Sequence, residues 1–236
     1  MACHSIGSVA IFAGGFSSLD GQLSDNVDIF DTVMARNAVT NLNQTRAHLA
    51  SVADGNQIYF AGGQTAISKT AAIESYDVNR RSWREVSMSL SQARSHLSAT
   101  SLHSWLYLGG GLNDAGHTVD TVDMLHVSSG QRMTSHLSTA RHSLSAVSVA
   151  DRYIIFAGGV EEGDRESAVI DVFDTTTRSW SNLTLDIPRR DFATCAIGSL
   201  LIVAGGRSQG VAIADTWAFD FVTQQPVAIG SMPVMY

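Results

Sequence analysis

The sequence has 236 residues, of which 44% are apolar and 16% are charged. With 20 glycines, no collagen period and only 3 prolines, this composition excludes a disordered acidic chain and favours a compact fold rich in turns. The 15 lysines and arginines stand against 22 aspartates and glutamates, a formal net charge of -7, which disfavours general binding of nucleic acid.

The two cysteines, Cys3 and Cys195, cannot form a disulfide framework for a chain of this length. They favour a reducing, cytoplasmic location. No segment approaches the roughly 20 apolar residues of a membrane span, and the first apolar stretch lacks a basic leader, so we expect a soluble protein with no membrane partner. Two Asn-X-Thr sequons, at Asn43 and Asn182, keep a secreted protein as the alternative.

A six-residue string recurs along the chain with a period of about 48 residues. Its copies are AIFAGG (10–15), IYFAGG (58–63), LYLGGG (106–111), IIFAGG (154–159) and LIVAGG (201–206). The first glycine of each pair falls at positions 14, 62, 110, 158 and 205, so the steps are 48, 48, 48 and 47. Five copies at this spacing indicate a repeat architecture.

Each repeat predicts four short antiparallel strands. The first follows an arginine and is rich in small residues, as in TRAHLASVA (45–53), and the second ends at the glycine pair. The third ends at an aromatic-Asp pair, as in IESYD (73–77), and the fourth surrounds a tryptophan, present as Trp83 and Trp180. Alternating apolar positions and short turns favour strands over helices, and a four-stranded sheet repeated radially is a β-propeller blade.

The glycine pair, the aromatic-Asp pair and the spaced tryptophan together resemble the kelch repeat, whose period is about 50 residues. The tryptophan is absent from the first, third and fifth copies, and His126 stands where the third copy should have aspartate. The resemblance covers essentially the whole chain and implies an all-β, kelch-type β-propeller as a single domain over residues 1–236. Its blade-sized repeats are predicted at about 1–44, 45–92, 93–139, 140–187 and 188–236.

The length of the chain predicts a closed ring of five blades. Five periods of 48 residues make 240, and SMPVMY (231–236) aligns with SMSLSQ (87–92), so the two ends are expected to meet. Closure would remove exposed sheet edges. Kelch-like propellers more often have six or seven blades, so a fragment or a ring completed by other residues is the alternative.

One face of the propeller is predicted to bind a partner. The links between consecutive blades and the loops between the second and third strands emerge together there, and we call it the loop face. The longest connections, such as 64–72 and 160–168, lie on it, and long loops on a repeated frame usually carry specificity. The predicted partner-binding residues, in an arc around the central opening, are Arg46, Arg94, Arg141, Arg189, His48 and His96.

A cationic arc on an acidic protein suits an acidic peptide, which it would bind through charge-assisted hydrogen bonds. The kelch resemblance implies the same kind of partner. We therefore expect a monomeric protein-interaction module without enzymatic activity or cofactor. Three alternatives remain open. The arginines could instead tie the blades together through backbone carbonyls, and the central pocket could belong to a carbohydrate-active enzyme or a sugar-binding propeller. The chain could also be a purely structural fragment with no partner of its own.

Two further clusters are interpreted as structural. His48, His96 and His142 do not predict a metal site, because His142 is one position out of register and no acidic residue is expected to share their period. The acidic cluster, which is expected to be a solvated loop, consists of Glu161, Glu162, Asp164 and Glu166.

Overall fold

The structure is a computed structural model that describes residues 1–17 and 21–230. Within these ranges the regular structure consists of five four-stranded antiparallel sheets and two short hairpins, with no helix and therefore none that could cross a membrane. The predicted alignment of residues 231–236 lies outside the described residues, as do positions 18–20 of the first long loop.

We call the five sheets blades 1 to 5 in chain order. Blade 1 consists of β1 (Ala2–Ile6), β2 (Val9–Phe16), β3 (Leu23–Asp31) and β4 (Arg36–Asn41). Blade 2 consists of β5 (Ala50–Asp54), β6 (Gln57–Ala61), β7 (Ile73–Asp77) and β8 (Ser82–Arg84). Blade 3 consists of β9 (Ser98–Leu102), β10 (Trp105–Gly109), β11 (Thr121–His126) and β12 (Arg132–His136).

Blades 4 and 5 each carry an additional hairpin between their second and third blade strands. Blade 4 consists of β13 (Ser145–Val149), β14 (Tyr153–Ala157), the hairpin β15 (Val160–Glu161) and β16 (Arg165–Glu166), then β17 (Val169–Asp174) and β18 (Ser179–Thr184). Blade 5 consists of β19 (Ala193–Ile197), β20 (Leu200–Ala204), the hairpin β21 (Arg207–Ser208) and β22 (Val211–Ala212), then β23 (Thr216–Asp220) and β24 (Gln225–Ala228).

The four strands of each blade occur where the repeat predicts them. In blade 2, β5 follows Arg46, β6 ends one residue before Gly62, β7 ends at Asp77 and β8 contains Trp83. The strands pair with their sequence neighbours in all five sheets, apart from the inserted hairpins. The prediction of an all-β fold with propeller-type blades is confirmed.

The glycine pairs lie where one blade approaches the link into the next. Gly62 and Gly63 have φ angles of +65° and +116°, and a Cβ on Gly62 would lie 2.5 Å from the backbone oxygen of Arg94. The N–H of Gly63 donates to that same oxygen at 2.9 Å. Because a side chain would both strain the backbone and separate the two blades, the pair requires glycine.

The hydrophobic core lies between the blades. Along β6, Ile58 and Phe60 pack with Ile11 of blade 1, whereas the alternating Tyr59 packs with Leu108 of blade 3. This alternation follows from the period of two along a strand, and it makes every inner blade apolar on both faces.

The two motif tryptophans join neighbouring blades at the outer strands. Trp83 packs edge-on against Tyr76, with ring centroids 5.4 Å apart, and its Nε1 donates to Thr40 Oγ1 of blade 1 at 3.0 Å. Trp180 similarly donates to Ser135 Oγ of blade 3 at 2.8 Å. Each tryptophan thus reaches back to the blade that precedes it.

The predicted closed ring of five blades is not what the structure shows. The inner strands pack side by side in the order β1, β5, β9, β13 and β19, but β1 and β19 do not pack against each other in this way. Within the described residues the blades therefore form an open arc. The repeat period measures how much chain each blade uses, and it carries no information on the angle between blades.

Candidate functional site

The four arginines of the predicted arc are fully buried. Each lies in the link that leads into an inner strand, and each is 0% exposed, as the structure shows for Arg46, Arg94, Arg141 and Arg189. A buried guanidinium requires a carboxylate or several carbonyl oxygens to replace the water it loses.

Blade 2 shows how the requirement is met. The Arg46 Nη2 atom lies 2.7 Å from Glu74 Oε1 on β7, and Nη1 donates to the carbonyl oxygens of Gly62 and Ala72 at 3.1 and 3.3 Å. The Arg46 Nε atom has no hydrogen-bond partner among the described residues. The side chain is therefore bound on its Nη side by the blade to which it belongs.

The other three blades repeat the arrangement. Arg94 pairs with Asp123 at 2.9 Å and donates to the carbonyl oxygen of Leu108, also at 2.9 Å. Arg141 pairs with Asp171. In blade 5, Arg189 lies 3.0 Å from Asp215. Thus an arginine of the link and a carboxylate of the following sheet or its loop form a pair in four consecutive blades.

The carboxylates also connect neighbouring blades. Glu74 accepts a hydrogen bond at 2.8 Å from the N–H of Asn43, in the link that leaves blade 1. Asp123 accepts from the N–H of Ser91 at 3.2 Å, and Asp171 accepts from the N–H of Ser138 at 3.0 Å. Each of these carboxylates therefore bridges the link from the preceding blade and the arginine of its own blade.

Burial and pairing shift the pKa values of the arginines in opposite directions. Burial lowers the pKa of Arg46, Arg94 and Arg141, and the paired carboxylate raises it again in each case. Because an unpaired guanidinium could not be buried at this depth without a large cost, the carboxylate is required for each arginine.

This geometry corrects the predicted cationic arc. The arginines do form a repeated series next to the inner strands, but their charges lie inside the blades and offer no accessible surface to a peptide. Their positions agree with the alternative in which arginines hold the frame together: the backbone oxygen of Arg46 accepts from Gly15 of blade 1 at 2.9 Å. The burial argues against direct contact between these four side chains and a partner.

The acidic partners were missed in the sequence although a signal for them exists. Glu74, Asp123 and Asp171 follow the first glycine of their repeats by 12, 13 and 13 residues. The expectation that no acidic residue shares the histidine period is therefore wrong. These carboxylates bind arginine and backbone N–H groups instead of a histidine.

Histidine rings line the loop-face ends of the inner strands. The rings of His48 and His96 are stacked with centroids 3.8 Å apart, and His142 meets His96 edge-on at 5.8 Å. Phe16 of blade 1 extends the series by an edge contact with His48 at 5.6 Å. We call these four residues the ring strip.

The backbone beneath the ring strip is fixed by blade-to-blade hydrogen bonds. His48 and His96 both have φ of 55°, a left-handed conformation that non-glycine residues rarely adopt. The N–H of His96 donates to the oxygen of His48 at 2.9 Å, and the N–H of Ser143 donates to the oxygen of His96 at 2.9 Å. This conformation turns the two imidazole rings toward each other.

Burial keeps the ring strip uncharged at neutral pH. Burial lowers the pKa of His96 to about 4, and the neighbouring His48 and His142 add to the effect. Burial lowers the pKa of His48 and His142 as well. Among the described residues, no group of three or more His, Cys, Asp or Glu side chains is placed to hold a metal ion. At neutral pH the strip is thus an aromatic surface.

Acidic side chains join the long loops to one another. Glu162 of blade 4 accepts hydrogen bonds from the N–H and the hydroxyl of Thr118 of blade 3 at 3.1 and 2.9 Å. These two bonds, together with a hydrogen bond to His117, lower the pKa of Glu162 to about 2. Asp164 pairs with Arg190 of blade 5 at 2.7 Å. The acidic cluster predicted as a solvated loop therefore fixes the loops of blades 3 to 5.

Exposed apolar side chains lie between the second and third strands of three blades, at a strand end or in the connection that follows it. Phe16 of blade 1 is 56% exposed, Ile67 of blade 2 is 94% exposed and Val211 of blade 5 is 69% exposed. All three lie beyond the glycine pair of their repeats, on the loop face. They were not among the predicted partner-binding residues, because an isolated apolar residue in a loop has no repeat pattern.

Comparison with known families agrees with this architecture. The family profile of the Kelch motif matches residues 45–87 and 188–232. These two matches support a kelch-repeat family. No curated protein sequence matches it significantly. The kelch resemblance and the kelch-type β-propeller are confirmed, and kelch repeats generally mediate protein–protein interactions.

The buried ion pairs of the kelch blades predict a large effect of single substitutions. Arg94→Met should lower the free energy of unfolding by about 3–5 kcal/mol, because it leaves the Asp123 carboxylate buried without its cation. Arg94→Met combined with Asp123→Leu should be more stable than the sum of the single losses predicts, because no charge then remains buried. Both effects are measured by urea unfolding of wild type, the two single variants Arg94→Met and Asp123→Leu, and the double variant.

The control for this cycle is the surface pair of Arg152 and Asp174, whose arginine side chain is 44% exposed. Arg152→Met should cost far less than Arg94→Met. Equal losses for the two arginines would contradict the structural role of the buried pair.

The ring strip predicts a specific loss of stability in acid. The folded pKa of His96, about 4, lies below 6.5, the ordinary pKa of a histidine, so the unfolded chain binds more protons between these pH values. Stability should therefore fall as the pH falls from about 6.5 toward 4. His96→Phe should reduce this pH dependence, whereas His136→Phe, at a side chain that is 66% exposed, should leave most of it unchanged. The measurement is the free energy of unfolding as a function of pH. If it changes with pH by the same amount in wild type and in His96→Phe, protonation of His96 does not contribute to the loss of stability in acid.

Proposed function

We propose that the protein binds a segment of a partner protein on its loop face, with the ring strip as the centre of the contact and the loop side chains around it. The observation that carries the proposal is the position of Phe16, Ile67 and Val211, which are exposed apolar residues beyond the glycine pairs of three different blades on this face. Large exposed apolar side chains on a rigid frame are typical anchors of protein interfaces.

The loop face is held in one arrangement before any partner binds. The N–H of Lys69 in the loop of blade 2 donates to Asp114 of blade 3 at 2.5 Å, and Glu162 joins blades 3 and 4. Arg190 joins blades 4 and 5 through Asp164. A fixed surface loses little conformational freedom on association, which favours its use in recognition.

The loop face suits an apolar or aromatic partner segment better than an acidic one. The predicted preference for an acidic peptide depended on the four arginines, and these are buried and paired. His48 and His96 remain in the proposed contact as uncharged, stacked rings, whose faces suit aromatic and aliphatic side chains. We place the interaction in the cytoplasm, because the exposed free thiols of Cys3 and Cys195 suit a reducing compartment.

A triple variant tests the loop face directly. Phe16→Ser, Ile67→Ser and Val211→Ser together should abolish capture of the partner from cell lysate, since loss of each anchor costs roughly 1–2 kcal/mol, about tenfold in affinity. The matched control is Val33→Ser with Val222→Ser, which removes two residues that are 80% and 76% exposed on turns of the opposite face. Captured proteins are quantified by mass spectrometry.

The expected result is a set of partner proteins that wild type and the opposite-face control both capture from the lysate and that the loop-face variant does not capture. Equal capture by all three proteins would contradict binding on the loop face. Loss with the opposite-face control alone would move the interaction to the other face. Thermal stabilisation of wild type by a sugar, undiminished in the loop-face variant, would instead favour the sugar-binding alternative.

A further inference from the structure

A cavity of about 280 Å³ lies between blades 3 and 4, at the hairpin turns of the face opposite the loop face. Three aromatic rings and two thioethers form most of its wall, those of Trp105, Tyr107, Phe173, Met124 and Met133. The volume is near the lower end of the range of small-molecule sites, about 300–1,000 Å³. Because thioethers adjust their shape and contact aromatic rings favourably, this wall suits a small, flat, apolar body.

The charged groups of the cavity lie at its rim. His103 and Asp151, on the first hairpin turns of blades 3 and 4, face each other with Nε2 3.2 Å from Oδ1. Arg178 lies on the turn between β17 and β18. The preceding carboxylate on that turn, Asp174, pairs with Arg152. Among the described residues, no carboxylate is therefore paired with the guanidinium of Arg178.

The turn holds Arg178 beside the aromatic wall. Its N–H donates to the backbone oxygen of Asp174 at 2.8 Å, and its φ is 55°. Burial raises the pKa of Tyr107, and the positive charge of Arg178 lowers it. The guanidinium thus acts on the inside of the cavity as well as on the solvent.

The corresponding cavity between blades 1 and 2 shows what an arginine at this position does elsewhere. Arg81 follows Asp77 by four residues, as Arg178 follows Asp174, and its φ is 54°. The Nη2 atom of Arg81 donates to Oδ2 of Asp31, on blade 1, at 2.6 Å. In that cavity, of about 240 Å³, the protein itself supplies the counter-ion of the arginine.

Blade 3 has no carboxylate at the position of Asp31. The counterpart is His126, since both residues end their third strand and pair with the start of the second strand. The Nδ1 atom of His126 accepts from the N–H of Ser129 at 3.3 Å, so it replaces the aspartate as an acceptor in the turn but brings no negative charge. This departure from the aromatic-Asp motif leaves Arg178 without the partner that Arg81 has.

We propose that the cavity between blades 3 and 4 binds a small aromatic carboxylate. The ring of the ligand lies among Trp105, Tyr107 and Phe173, whose faces and edges suit a second aromatic ring. The carboxylate of the ligand binds Arg178, because a guanidinium forms paired, charge-assisted hydrogen bonds with a carboxylate. This site goes beyond the loop-face interaction and does not depend on it.

Other small ligands fit the cavity less well. A cationic ligand would meet the positive charge of Arg178, while the carboxylate of Asp151 already faces His103. An uncharged aromatic ligand would fill the apolar wall but would leave the guanidinium without a counter-ion. An aromatic carboxylate uses both parts of the site.

Three substitutions test the assignment. Arg178→Gln removes the charge from a turn that accepts glutamine, since Gln224 occupies the same position in blade 5 with φ of 56°. His126→Asp introduces the carboxylate that Asp31 provides in blade 1, and it should pair with Arg178. Arg81→Gln is the matched control at the counterpart position in blade 2.

The probes are naphthylacetate, its uncharged analogue naphthylacetamide, and acetate, which carries the charge without the ring. Isothermal titration calorimetry measures their affinity for the full chain, and thermal unfolding checks that each variant is folded. Wild type and Arg81→Gln should bind naphthylacetate equally. Arg178→Gln and His126→Asp should bind it at least about tenfold more weakly, and wild type should disfavour the amide and acetate by a similar factor, because each change removes a charge-assisted bond or the ring contact.

Three results would overturn the proposal. The first is no binding of naphthylacetate to folded wild type. The second is equal affinity of wild type, Arg178→Gln and His126→Asp, which would place the ligand elsewhere. The third is equal affinity for naphthylacetate and naphthylacetamide, which would show that the site does not select a carboxylate. The loop-face variant should bind naphthylacetate like wild type, so the two proposals fail separately.

Discussion

The pair of a buried arginine and a carboxylate is the interaction on which the rest of this propeller depends. It occurs in four consecutive blades, always between the link that enters a blade and a carboxylate of that blade's third strand or the loop before it. In blades 2 to 4 the carboxylate also accepts a hydrogen bond from the link of the preceding blade. One side chain therefore joins the elements of a blade and connects that blade to its neighbour.

The pairs are costly to disrupt and are not by themselves a source of great stability. A buried charge loses its hydration, and the attraction to its partner roughly offsets that loss. The pair fixes the position of the link relative to its blade, because the guanidinium donates hydrogen bonds in fixed directions to a carboxylate and to carbonyl oxygens. The backbone oxygen of the same arginine accepts from the second glycine of the preceding blade. These fixed links place the imidazoles of His48 and His96 face to face on the loop face.

The sequence was sufficient to predict the strands, the order of the strands and the family, because each depends on local and repeated signals. The glycine pairs, the aromatic-Asp pairs and Trp83 all occupy the predicted places. Burial of the arginines was not predicted, because it depends on Glu74 or Asp123, which lie nearly 30 residues further along the chain. The apolar anchors Ile67 and Val211 were missed, because single exposed residues leave no pattern. The open arc depends on angles between blades, which no period encodes.

The most direct test of this account is the chemical accessibility of the arginines in the folded protein. An arginine-specific dicarbonyl reagent, followed by mass spectrometry, measures the modification of each side chain separately. The account predicts rapid reaction of Arg165, whose side chain is 76% exposed, and protection of Arg46, Arg94, Arg141 and Arg189 until the chain is unfolded in urea. Modification of those four arginines in the folded protein as fast as that of Arg165 would contradict the account, and it would restore the exposed cationic arc.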